Sequence, residues 1–117
     1  MVQYRRNFVP GGTYFFTVTL RDRRTSLLID HADALVAAIR RVRELHPWQT
    51  DALVILPDHL HAVWTLPEGD ADYSARWRMI KALFTKALRE RTYADANAWQ
   101  SRFWEHTIRD EHEDRKS

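Results

Sequence analysis

Pro57-Asp58-His59-Leu60-His61 sets two imidazoles two residues apart. On an extended backbone His59 and His61 project from one face, roughly 7 Å apart along the strand, and Leu60 points to the other. Two neighbouring imidazoles can ligate one divalent cation, or grip a phosphate when protonated. The same spacing also fits a half-buried strand whose polar face happens to bear histidine. A second feature is charge: from Ser74 to Arg91 the chain has Arg76, Arg78, Lys81, Lys86, Arg89 and Arg91 against one acid, Glu90. A helix stabilised by i,i+4 pairs would interleave acids with these cations. An excess of six to one suits contact with phosphates, whose charge offsets the repulsion between the cations, although a solvated helix face is the alternative. Third are the aromatics, with five Trp in the chain and Tyr4, Phe8, Tyr14, Phe15 and Phe16 near its start. Most are expected in the core of so small a domain, and one or two on an open sheet face would be placed to stack on unpaired bases.

The elements that must position these residues follow from periodicity. After the turn Pro10-Gly11-Gly12, Thr13 to Leu20 alternates as a strand, with Tyr14, Phe16, Val18 and Leu20 on one face. Asp30 is expected to cap a helix with Asp33 in its first turn. Leu35, Ile39, Val42 and Leu45 form its apolar stripe, and Pro47 ends it. Ala52 to Leu56 reads as a central strand, Pro57-Asp58 as a tight turn, and His59 to Leu66 as a strand with Leu60, Ala62, Trp64 and Leu66 facing the helices. A second helix spans about Ser74 to Arg91, with Trp77, Ile80, Phe84, Ala87 and Leu88 on one face. Phe103 to Ile108 is a weaker fourth strand. The order βαββαβ predicts an α+β, ferredoxin-like fold: a four-stranded antiparallel sheet with two helices on one face.

Composition narrows the function. The 117 residues, 44% hydrophobic, predict one domain over 1–117. Cysteine is absent, which excludes disulfides, thiolate metal sites and a cysteine nucleophile. No apolar stretch follows Met1, and the longest apolar run is Ala34 to Ile39, so neither a secretory signal nor a membrane span is expected and a cytoplasmic location is. Fifteen of the 18 cations are Arg, whose planar fork suits phosphate. Four of the 16 acids fall in the last eight residues; without those eight the balance is 16 cations to 12 acids, or +4. A nucleic-acid partner is allowed by this balance and not required by it.

Several blocks together resemble one family. Tyr4-Arg5-Arg6, Pro10-Gly11-Gly12-Thr13-Tyr14-Phe15-Phe16-Thr17, Leu56-Pro57-Asp58-His59-Leu60-His61, Trp77-Arg78-Met79-Ile80-Lys81, Phe103-Trp104-Glu105-His106 and Ile108-Arg109-Asp110-Glu111 are similar to the REP-associated tyrosine transposases. These are small insertion-sequence transposases of the His-hydrophobe-His single-strand endonuclease superfamily. The likeness runs from Tyr4 to about Glu113 and implies the ferredoxin-like sheet reached independently above. It implies that His59 and His61 are two ligands of Mg²⁺ or Mn²⁺, which polarises the scissile phosphate of single-stranded DNA. It implies further that a tyrosine attacks phosphorus, that the 3′-hydroxyl leaves, and that a 5′-phosphotyrosine link conserves the bond energy for rejoining. The implied partner is single-stranded or hairpin DNA from repetitive extragenic palindromes. Arg5, Arg6, Arg76, Arg78, Lys81, Lys86 and Arg89 are the expected DNA contacts.

In that family the nucleophilic tyrosine sits on a further helix beyond the fourth strand, a helix that also completes the metal shell. This sequence runs eight residues past Arg109, so the expectation is a chain truncated there relative to the family, with no catalytic residue assigned. Tyr14, Tyr73 and Tyr93 fall at other places, and Tyr4, on a terminal arm, is a remote internal candidate. A homodimer or a full-length relative is the expected protein partner, and such a relative could donate its tyrosine helix in trans. Two functions are therefore expected: a metal-dependent transposase domain, or an inactive remnant that occupies such hairpins without cutting them.

Overall fold

The computed structural model describes residues 10–92 and the backbone of 104–108. Through residue 92 the elements are β1 (Thr13–Thr19), α1 (Leu27–Asp30), α2 (Ala32–Leu45), β2 (Gln49–Ile55), β3 (His59–Thr65) and α3 (Tyr73–Thr92). The three strands form an antiparallel sheet in the order β2-β3-β1, and α2 and α3 pack beside each other. The fold is therefore α+β.

Period-two sequence becomes a two-faced sheet. Along β1 and β3 half-buried and buried residues alternate without a break. Tyr14, Phe16 and Val18 from β1 and Leu60, Ala62 and Trp64 from β3 are each at most 1% exposed. Leu35, Ala38 and Val42 of α2 join the same core, as do Trp77, Ile80, Phe84 and Leu88 of α3. Their spacing of three and four residues makes one stripe per helix. Large aromatic rings fill the middle: Trp64 stacks on Trp48 at 4.1 Å and on Trp77 at 4.4 Å, and Phe16 meets Trp64 edge-on at 5.0 Å. At the end of the sheet away from the histidines, Gly11 takes a φ of 73° and donates its N–H to the Asp70 carbonyl. An added side chain there would be strained by the backbone angle alone.

The structure corrects four expectations. The first helical region divides: Asp30 ends the single turn α1 and accepts a hydrogen bond from the Ser26 hydroxyl, while α2 starts after His31, whose side chain makes no capping bond. Leu45 is 53% exposed, because the packed stripe ends at Val42; Trp48, at 4%, fills that end of the core instead. β2 starts earlier than its apolar run, at Gln49, and lies at the edge of the sheet rather than its centre. An apolar run fits either place: Leu53 and Ile55 pack against the core, but Val54 is 51% exposed. A register shift between Thr50 and Ala52 leaves Asp51 as a bulge.

Candidate functional site

Antiparallel register assembles the open face. Thr17 of β1 lies directly opposite His61, Thr19 opposite His59, and Val54 of β2 opposite His61 on its other side. His59 and His61 follow the expected alternation and stand on the face away from the helices, with ring centroids 4.9 Å apart at 81°. Each imidazole is held by its Nδ1. His59 Nδ1 lies 2.8 Å from Asp58 Oδ1, and His61 Nδ1 lies 3.0 Å from Thr17 Oγ1. The His61 ring also stacks on Phe15 at 5.4 Å and 17°, so the aromatic expected on the open face buttresses a histidine. Among the described residues neither Nε2 has a hydrogen-bond partner.

Asp58 is fixed from several sides. The Arg23 side chain bonds its Oδ2, the Leu20 N–H donates to its backbone carbonyl at 2.8 Å, and Leu28 N–H donates to Pro57 O. The Arg23 hydrogen bond first, and then that of His59, pull the Asp58 carboxyl down to about 2, so it is ionised near neutrality. Sequence reasoning passed over Asp58, Arg23 and Thr17. Asp58 directly before His59 was a usable signal; Arg23 is 35 residues away and had none. No cluster of three or more metal-ligating groups occurs among the described residues.

The basic residues do not join the histidines. α3 covers the other face of the sheet, with Arg78, Lys86 and Arg89 exposed on its outer side and Lys81 half-buried. Arg76 is the correction. It is 3% exposed, and its guanidinium bonds the carbonyls of His46, Pro47 and Asp72 and both carboxylate oxygens of Asp70. A guanidinium with every donor direction committed inside the fold is a structural tie, not a surface for phosphate. Arg91, part of the expected excess, pairs with Asp33 of α2 at 2.9 Å. Tyr14 and Tyr73 are both 0% exposed and lie in the core, 4.8 Å apart by ring centroid. Tyr4, Arg5, Arg6 and Tyr93 lie outside the described residues.

No protein-family model matches the chain. It is similar to a REP-associated tyrosine transposase of Escherichia coli K12, 50% identical over 93% of this chain and 63% of that one. A Haemophilus influenzae relative provisionally given the same name is 41% identical over 95% of this chain and 68% of its own length. Among solved structures, a REP-associated tyrosine transposase bound to a REP hairpin matches with a TM-score of 0.88 and 48% identity, over 99% of this chain and 67% of that one. A Deinococcus radiodurans protein provisionally named a transposase shares the fold, with a TM-score of 0.68 at 16% identity, over 98% of this chain and 92% of that one. The chain thus spans about two thirds of the length of the curated relatives it matches. The chain has the α+β fold of these transposase structures. Within that class the chain belongs to the REP-associated tyrosine transposases.

Proposed function

We propose that the chain binds single-stranded or hairpin DNA of the REP type and holds a divalent ion at His59 and His61. On this reading it is the DNA-engaging part of a cytoplasmic transposase that cleaves and transfers single strands. The histidine pair supports it best: both Nδ1 atoms are engaged, which leaves both Nε2 atoms for a ligand. The relative solved with a REP hairpin, at 48% identity, is the ground for hairpin DNA as the partner. Two imidazoles fit two positions of a metal shell and suit Mn²⁺ better than the more oxygen-seeking Mg²⁺; DNA phosphate, water or other residues would fill the rest. When bound, the ion supplies polarisation of a phosphate oxygen. Arg78, Lys86 and Arg89 provide phosphate contacts from the helix face. We also read Trp104–Ile108 as β4, which completes the ferredoxin-like order β2-β3-β1-β4; its antiparallel pairing with β1, His106 opposite Phe15, supports this.

The nucleophile is the point on which a second reading rests. Tyr14 and Tyr73 are buried on the helix side of the sheet, so the described residues offer no tyrosine to the histidine face. That favours a protein that occupies hairpins without cutting, unless a tyrosine outside the described residues, or on a second copy, is brought in. Fluorescence anisotropy on a labelled REP-type hairpin, titrated with salt, tests the binding. Arg78→Ala with Arg89→Ala should lower the magnitude of the salt slope by roughly 1.4, about 0.7 per phosphate contact on a single strand. Unchanged affinity and slope would remove α3 from the interface. With Mn²⁺ and the hairpin, the 117-residue chain should give no covalent adduct on a denaturing gel. An adduct lost on Tyr4→Phe would make the N-terminal arm the carrier of the nucleophile.

A further inference from the structure

We infer that Asp58, anchored by Arg23, is a positioning residue that fixes His59 in its Nδ1-protonated tautomer and so presents the Nε2 lone pair to the open face. The inference deepens the proposed metal reading and rests on it for its functional meaning. The chemistry is asymmetric between the two histidines. A carboxylate gripped by a guanidinium is ionised and can only accept hydrogen bonds. Its Oδ2 is taken by Arg23, and its Oδ1 lies 2.8 Å from His59 Nδ1. That nitrogen must therefore bear the proton, and in the neutral ring Nε2 must be the unprotonated atom. An isolated imidazole favours the opposite tautomer, so without Asp58 the ring would mostly present an N–H where a cation needs a lone pair.

His61 has no such instruction. Its Nδ1 meets the Thr17 hydroxyl at 3.0 Å, and a hydroxyl can donate or accept. Stacking on Phe15 sets the plane of that ring without setting its proton. Thus one imidazole is fixed in advance and its neighbour can adapt. The burial pattern suits a relay: the Asp58 side chain is 14% exposed and His59 21%, while Arg23 at 60% reaches in from solvent. The turn that bears Asp58 is held by backbone bonds from Leu20 and Leu28, so the side chain is not needed to hold the turn. A carboxylate behind a ligating histidine raises the ligand's basicity and fixes its orientation.

Long-range ¹H–¹⁵N correlation on the ¹⁵N-labelled chain, at a pH where both rings are neutral, reads the tautomers with no metal present. His59 should show the Nδ1-protonated pattern in the wild type and shift toward the Nε2-protonated one in Asp58→Ala. Arg23→Ala, an exposed change that leaves the fold intact, should give a mixture, and Arg23→Lys should restore the wild-type pattern. Calorimetric Mn²⁺ titration should then show affinity about 10-fold or more weaker for Asp58→Ala, in line with removal of such partners at other metal sites. A wild-type His59 found Nε2-protonated overturns the inference without any variant. Equal Mn²⁺ affinity for wild type and Asp58→Ala overturns the positioning role. A wild type with the expected tautomer but no Mn²⁺ binding, with or without hairpin DNA, defeats the metal reading alone and leaves the placement of the ring standing.

Discussion

The helix-covered face of the sheet and its open face hold their side chains in different ways. On the covered face Tyr14, Phe16, Leu60 and Trp64 are shut away from water and touch several neighbours at once. Stability there is collective: area removed from water, plus ring–ring contacts worth about 0.5–1.5 kcal/mol each beyond that area. On the open face His59, His61, Thr17 and Thr65 are half-buried, and each is tied by discrete polar contacts. One face therefore gives the molecule its shape, and the other can spend its polar atoms on a ligand without unfolding the chain. The difference also explains why Tyr14 and Tyr73, the tyrosines among the described residues, do not reach the open face: both belong to the collective face.

The largest expected effect tests that division directly. Trp64→Ala removes the ring that stacks on both Trp48 and Trp77 and should cost about 3–5 kcal/mol in urea unfolding. Thr17→Val, across β1 on the other face, loses one hydrogen bond and should cost about 1 kcal/mol or less. Comparable losses for the two would end the distinction between the faces.

Arg76→Ala should fall between them, at about 2–3 kcal/mol by the same measurement. It leaves three backbone carbonyls without their donor, and Asp70, a third exposed, without its charge partner. Because Arg76 is internal, the salt slope of hairpin binding by the folded variant should equal that of the wild type. A reduced slope would return Arg76 to the DNA interface.

The smallest effect concerns the seam between the helices. The Arg91 hydrogen bond holds the exposed Asp33 carboxyl down at about 2, against an ordinary 3.8. A carboxyl depressed by folding stabilises above its ordinary pKa, and that contribution is lost as pH falls toward the folded value. Wild-type Tm should therefore drop more than that of Asp33→Asn between about pH 4 and pH 2. Parallel curves would show that the pair links α2 and α3 in position but not in energy.

Much of this architecture was legible in the residues. Alternation from Thr13 and from His59 marked both faces of β1 and β3, and the stripe Trp77, Ile80, Phe84, Leu88 marked the buried side of α3. The histidine pair was visible because a strand's period of two is a local property. What escaped was non-local. Nothing beside Arg76 in the chain shows that the carbonyls of His46 and Pro47, about thirty residues earlier, will meet its guanidinium. Arg23 reached Asp58 by a similar tertiary accident of sequence distance. Which of Leu53, Val54 and Ile55 face the helices depends on the register of β2 against β3, and an unbroken apolar run is silent on that.

The bulge at Asp51 has a consequence for life in a crowded cell. The outer edge of β2 offers backbone donors and acceptors to any extended chain that drifts past, which is how soluble proteins begin to stack into insoluble ribbons. Asp51 spoils the template in two ways. Its extra residue throws the edge out of step, and its exposed carboxylate, which accepts from the Thr65 hydroxyl of β3 at 2.6 Å, puts a negative charge on the edge strand itself.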